Sequence, residues 1–108
     1  MQVITLAAEM SQQFNIVLDG VTCTMHVHQH STGLYMDLWV GDIAVCLGVL
    51  CLNANRIVRY DYLRAKSGFL GDLFFIDTQG SDDPEWSELG GRYQLYYITN
   101  SELESAAA

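Results

Sequence analysis

Two four-residue stretches, Leu18-Asp19-Gly20-Val21 and Val40-Gly41-Asp42-Ile43, decide how this chain folds. Each lies between runs in which apolar residues alternate with others. Asp-Gly or Gly-X in that setting is the strongest short-range signal for a β-hairpin. A two-residue turn also fixes register, because a slip of one residue would turn every side chain to the opposite face. Around the first turn, Leu18 faces Val21, Ile16 faces Cys23 and Phe14 faces Met25, all apolar. The reverse side pairs Val17 with Thr22, Asn15 with Thr24 and Gln13 with His26, and is mostly polar. Around the second turn, the register predicts an apolar face of Val40–Ile43, Leu38–Val45, Met36–Leu47 and Leu34–Val49. Its reverse pairs Trp39 with Ala44, Asp37 with Cys46 and Tyr35 with Gly48.

The same grammar extends outward. Residues 2–6 alternate weakly and suit a short edge strand, followed by a connector over 7–13. Ser31-Thr32-Gly33 is a turn, and strands are predicted over 34–40 and 43–52. Over 53–67 the alternation is lost, and Ile57, Tyr60 and Leu63 recur every three residues, which suits one short helix or an irregular loop. Residues 69–76 read as a strand apolar on both faces. An acidic loop with the single proline, Pro84, follows over 77–88. A last strand over 92–99 places Tyr93, Leu95 and Tyr97 on one face. The expected fold is all-β: a small antiparallel barrel or sandwich of six to seven strands built from hairpins, with one irregular or short helical connector. Residues 1–100 form one domain in this reading, and 101–108 a flexible C-terminal tail.

The chain has 108 residues, half of them hydrophobic, and a formal net charge of −8. That length suits one core, and the acidic balance disfavours nucleic acid and anionic membranes as partners. Four of the five basic residues, Arg56, Arg59, Arg64 and Lys66, fall close together. They form either a solvated connector or a docking patch for an acidic partner surface. Cys23, Cys46 and Cys51 are odd in number and lack close spacing, so they read as buried free thiols in a reducing compartment. The amino terminus lacks the pattern of a signal peptide. The most apolar stretch is shorter than the ~20 residues a bilayer span needs. The expectation is a soluble protein made in a cytoplasm.

All three histidines, His26, His28 and His30, lie two apart and project to one side of a strand. Gly20, five residues, then His26-x-His28 resembles the opening of the metal-binding motif of the cupins, a family of small β-barrels. That resemblance implies a metal-binding barrel using the His26/His28/His30 strand. The chain departs from it by lacking the following glutamate and any further histidine. The hairpin register also places these histidines on the polar side, whereas a cupin metal lies inside the barrel. A solvated or partner-facing polar strip is therefore the preferred reading, with no cofactor. The acidic residues Asp77, Asp82, Asp83 and Glu85 lack the order of a calcium loop, and no nucleophile, base and orienting group assemble. Tyr35 and Trp39, on the reverse of the second hairpin, suit a partner interface, where aromatics are enriched.

Phe14-x-Ile16-x-Leu18-Asp19-Gly20, then Leu34-Tyr35-Met36-Asp37-Leu38 and a tight turn, resembles the baseplate plug proteins of contractile-tailed phages. The likeness continues through Asn53, Phe75-x-Asp77-x-x-Gly80, Asp82-x-Pro84 and Tyr93-x-Leu95-x-Tyr97. It implies a structural virion protein without catalysis. Such a protein sits at the baseplate hub among hub, spike and tail-tube components, with a homo-oligomer within the baseplate as a further option, and is assembled in the host cytoplasm. The candidate partner-binding residues are then Tyr35, Trp39, Arg56, Arg59, Arg64 and Lys66.

Overall fold

Asp19 and Gly20 both have positive φ, 53° and 76°. This is the mirror-image turn whose twist matches that of the strands it joins. The second turn opens on Gly41 at φ 58°, with Asp42 not in the positive-φ region. The computed structural model describes residues 2–58, 68–69, 71–99 and 101–102. Its strands are β1 (Gln2–Ile4), β2 (Ser11–Leu18), β3 (Val21–His30), β4 (Gly33–Val40), β5 (Ile43–Leu50), β6 (Gly71–Asp77) and β7 (Tyr93–Thr99). A short 3-10 turn spans Trp86–Glu88. The strands form two antiparallel sheets, ordered β2-β3-β4-β5 and β1-β7-β6. The fold is thus the all-β sandwich of the two expected forms; the sheets do not close into a barrel. Most of the 53–67 connector, including Tyr60 and Leu63, and most of the expected tail lie outside the described residues.

One core joins the sheets. Cys23, Met25, Val27, Leu34, Met36 and Leu38 come from the four-stranded sheet, and Ile4, Leu73, Phe75, Leu95 and Tyr97 from the three-stranded one. The Tyr97 hydroxyl donates to Asp19 Oδ2 at 2.8 Å, so the first hairpin turn is latched to the opposite sheet. The first hairpin pairs as its turn dictates, from Leu18 with Val21 through Gln13 with His26.

The second hairpin departs from its expected register. Val40 faces Ile43 and Trp39 faces Ala44, but then Leu38 faces Cys46, Met36 faces Val49 and Tyr35 faces Leu50. Two irregularities each add a residue to β5, the signature of β-bulges. Gly48, at φ 61°, supplies the left-handed backbone that such a bulge uses. Cys46 therefore lies opposite Leu38, not Asp37, and Tyr35 opposite Leu50, not Gly48. The bulges also explain why β5 reads as apolar on both faces. Val45 and Cys46 are consecutive and both buried, whereas Leu47 is 61% exposed.

The first part of the connector continues the three-stranded sheet. Asn53 forms a parallel bridge with Phe75. Ala54 N–H donates to Phe75 O and Ile57 N–H to Leu73 O, each at 2.8 Å. The free edge of β6 is thereby covered, which removes a template for unwanted pairing. On the outer side of this sheet, Phe74 stacks on Tyr96 with centroids 5.7 Å apart.

The acidic loop folds around one cation. Asp77, buried rather than solvated, receives Arg92 Nε and Nη2 at 2.8 Å each. It also accepts the N–H groups of Gln79 and Asp82 at 2.9 Å. The Arg92 hydrogen bonds, helped by those two N–H groups, hold the Asp77 carboxyl well below the usual carboxylate range. A carboxylate with a depressed folded-state pKa contributes stability above its unfolded value of about 3.9, and loses it as pH falls through the folded value. Asp77→Asn should therefore be less stable than the parent at pH 6. The gap should narrow steadily as pH drops below about 4. Urea denaturation of both proteins at pH 6, 4 and 2.5 checks this, and a gap independent of pH would contradict it.

Candidate functional site

The outer face of the four-stranded sheet gathers the polar and aromatic residues that alternation turns away from the core. On β3, His26 and His28 alternate with the buried Met25 and Val27. On β4, Tyr35, Asp37 and Trp39 alternate with the buried Met36 and Leu38. The β3–β4 turn pairs His30 with Gly33, which sets His26 directly opposite Asp37, His28 opposite Tyr35 and Thr24 opposite Trp39. On the other side, β2 sets Ser11 opposite His28 and Gln13 opposite His26.

These registers produce a connected polar cluster. Asp37 Oδ2 lies 3.4 Å from His26 Nδ1 and 3.3 Å from His28 Nε2. The remaining polar atom of each residue is held elsewhere. Ser11 Oγ lies 3.0 Å from His26 Nε2. His28 Nδ1 lies 2.6 Å from His30 Nε2, and Gly48 N–H donates to Asp37 Oδ1 at 2.5 Å. The His26 and His28 rings stack with centroids 4.5 Å apart, and His30 meets Tyr35 edge-on at 5.3 Å. The Tyr35 hydroxyl bonds Thr32 Oγ1 at 2.7 Å. An open groove of about 420 Å³ runs here, lined by His28, His30, Ser31, Thr32, Tyr35 and Gly48.

The histidines lie on the polar side, as the first hairpin register requires, and the sheets form no barrel to enclose them. The cupin-like reading therefore loses both of its structural requirements. Asp37 was not recognised from sequence as a neighbour of the histidines. The signal was present: closing the Ser31-Thr32 turn as a two-residue hairpin pairs His26 with Asp37. The Gly48 bulge, in contrast, has no such marker beyond the glycine itself.

Arg56 Nε donates to the buried Asp72 at 2.8 Å, so its charge is engaged within the fold. Arg59, Arg64 and Lys66 lie outside the described residues. The three cysteines are buried and unpaired. Burial pushes the Cys23 thiol up to about 11, and burial with nearby Asp72 and Asp37 pushes Cys46 up to about 12. Such thiols stay protonated and unreactive near neutrality.

A family model of the cyanophage baseplate Pam3 plug gp18 matches residues 1–101. The chain belongs to this baseplate plug family. No curated protein matches it. Membership makes the plug-family chain a structural component of the phage tail baseplate, and its surroundings are other baseplate components. The outer sheet face and the hairpin core described above all lie within the matched residues.

Proposed function

We propose that this plug-family protein acts by protein–protein contact, without catalysis, and that the outer face of the four-stranded sheet is its principal contact surface. The observation that carries this reading is the position of Tyr35 and Trp39. Both are large, half-buried and turned away from the core on β4, and Tyr35 lines an open groove. Aromatics so placed supply contact area at low entropic cost and anchor interfaces. Hub, spike and tail-tube components, or further copies of the chain, are the occupants this reading assigns. The basic residues Arg59, Arg64 and Lys66, close together in sequence, are assigned in this reading to a second contact with an acidic neighbour, whereas Arg56 is already paired with Asp72. Free, protonated cysteines fit assembly in a reducing host cytoplasm.

Trp39→Asp and Tyr35→Asp test the reading. A charge at the centre of an interface must be desolvated without a partner. Incorporation into tails should fall at least tenfold, measured by quantitative mass spectrometry of purified particles. The isolated variants should keep the parent's circular dichroism spectrum. Incorporation at the parental level in both variants would remove this face from the interface.

A further inference from the structure

The His26–His28–Asp37 cluster has the chemistry and spacing of a cation site rather than of a hydrogen-bonded triad. Among the described residues, these three are the group whose ligand atoms all lie within 4.8 Å of one another. We propose that His26 Nδ1, His28 Nε2 and Asp37 Oδ2 bind one divalent transition-metal ion of the zinc class. It would lie on the outer face of the sheet, with a fourth position open to solvent or to a neighbouring subunit.

Four observations carry the assignment. First, the carboxylate-to-imidazole separations are 3.4 and 3.3 Å. Bond lengths of about 2.0–2.1 Å to zinc give a tetrahedral edge of about 3.3–3.4 Å. Second, the other polar atom of every ligand is already held: His26 Nε2 by Ser11, His28 Nδ1 by His30 and Asp37 Oδ1 by the Gly48 N–H. Outer partners of this kind orient metal ligands and set the imidazole tautomer. The tautomers are mutually consistent. With Nε2–H of His26 donating to Ser11 and Nδ1–H of His28 donating to His30, a tautomer pair both contacts allow, the two converging nitrogens carry lone pairs. Third, His28 Nε2 is covered by protein yet makes no hydrogen bond. A buried polar atom without a partner calls for an explanation, and a metal bond supplies one. Fourth, two neutral imidazoles with one carboxylate suit zinc and its neighbours better than calcium or magnesium, which prefer oxygen.

The two imidazoles are stacked with planes 24° apart. Sharing an ion requires them to splay by rotation about χ2 until both lone pairs meet at one point. Asp37 needs no such movement, because a single oxygen already faces both rings. The overall charge of −8 favours cation uptake. The ion would tie β3 to β4 beside Tyr35.

The test uses the full chain, purified without an affinity tag and stripped with chelator. Titration with Zn²⁺ should show one equivalent bound and a raised melting temperature, and Co²⁺ should give the visible absorption of a tetrahedral site. His28→Gln and Asp37→Asn should each weaken Zn²⁺ binding at least tenfold. Ser11→Ala should weaken it less, and circular dichroism should show each variant folded. If the parent binds no stoichiometric ion, the proposal fails. It fails equally if Asp37→Asn binds as the parent does, or if His30→Ala abolishes binding while Asp37→Asn does not. That last pattern would assign the ion to the three histidines instead. The proposal does not depend on the contact surface inferred above, since binding is read on the isolated protein.

Discussion

Asp72→Ala should lower the unfolding free energy by about 2–5 kcal/mol, chiefly by orphaning two backbone N–H groups, because the partner Arg56 is itself 41% exposed. Asp72 has a relative exposure of 0%. Its Oδ2 accepts Arg56 Nε at 2.8 Å, and its Oδ1 accepts the N–H groups of Val58 and Leu73 at 2.8 and 2.7 Å. Truncation orphans those N–H groups in a buried setting, at roughly 1–3 kcal/mol each where no water replaces the carboxylate. It also releases the 53–58 segment from β6, whose edge that segment covers. Urea denaturation measures the loss. The exposed Asp82, at 73%, provides the comparison. Asp82→Ala should cost no more than about 1 kcal/mol, as solvent-exposed pairs do. Equal losses for the two variants would show that Asp72 is not the anchor of the connector.

Leu95→Ala should cost about 2–5 kcal/mol. Leu95 is fully buried on β7, the central strand of the three-stranded sheet. It sits between Ile4 on β1 and Phe75 on β6, which face it across the two ladders. A void there lies between two sheets held by hydrogen-bonded ladders, so collapse around it is restricted. The relevant control is Leu47→Ala at the exposed bulge on β5, which should change stability by no more than about 0.5 kcal/mol. Thermal and urea unfolding of both variants measure the difference. A loss below about 1 kcal/mol for Leu95→Ala would mean that the core relaxes freely there.

How much of this was legible in the chain differs between its two hairpins. The register of the first was legible, because an Asp-Gly turn with two positive φ angles couples residues only a few positions apart, although β2 begins at Ser11, inside the expected 7–13 connector. Every pair from Leu18–Val21 outward followed. The second was legible only as far as Trp39–Ala44. Beyond it, β5 takes two extra residues, and alternation cannot reveal them in a run as uniformly apolar as Val45-Cys46-Leu47. Burial of the final strand, with Tyr93, Leu95 and Tyr97 inward, was also evident from period-two alternation.

The outer face shows the same division. The side on which the histidines lie follows from the first turn alone. The membership of their cluster does not. Asp37 joins through the β3–β4 pairing, and its second oxygen is held by a bulge glycine eleven residues away. Arg56 looked like part of a free basic patch, but it reaches Asp72 sixteen residues on.

The sequence by itself determined the strands, the hairpin order, the first register, the core-facing residues of β3, β4 and β7, and the polar setting of the histidines. These depend on turn geometry and on the two-residue period of a strand, both local properties. Only the tertiary structure decided the bulges of β5, the burial of Asp72 and Asp77, the pairing of residues 53–57 beside β6, and the convergence of His26, His28 and Asp37. The bulges and the cluster depend on how strands of one sheet pair with each other, and the rest on where buried charges and the β6 edge find partners. Local pattern carries no term for either.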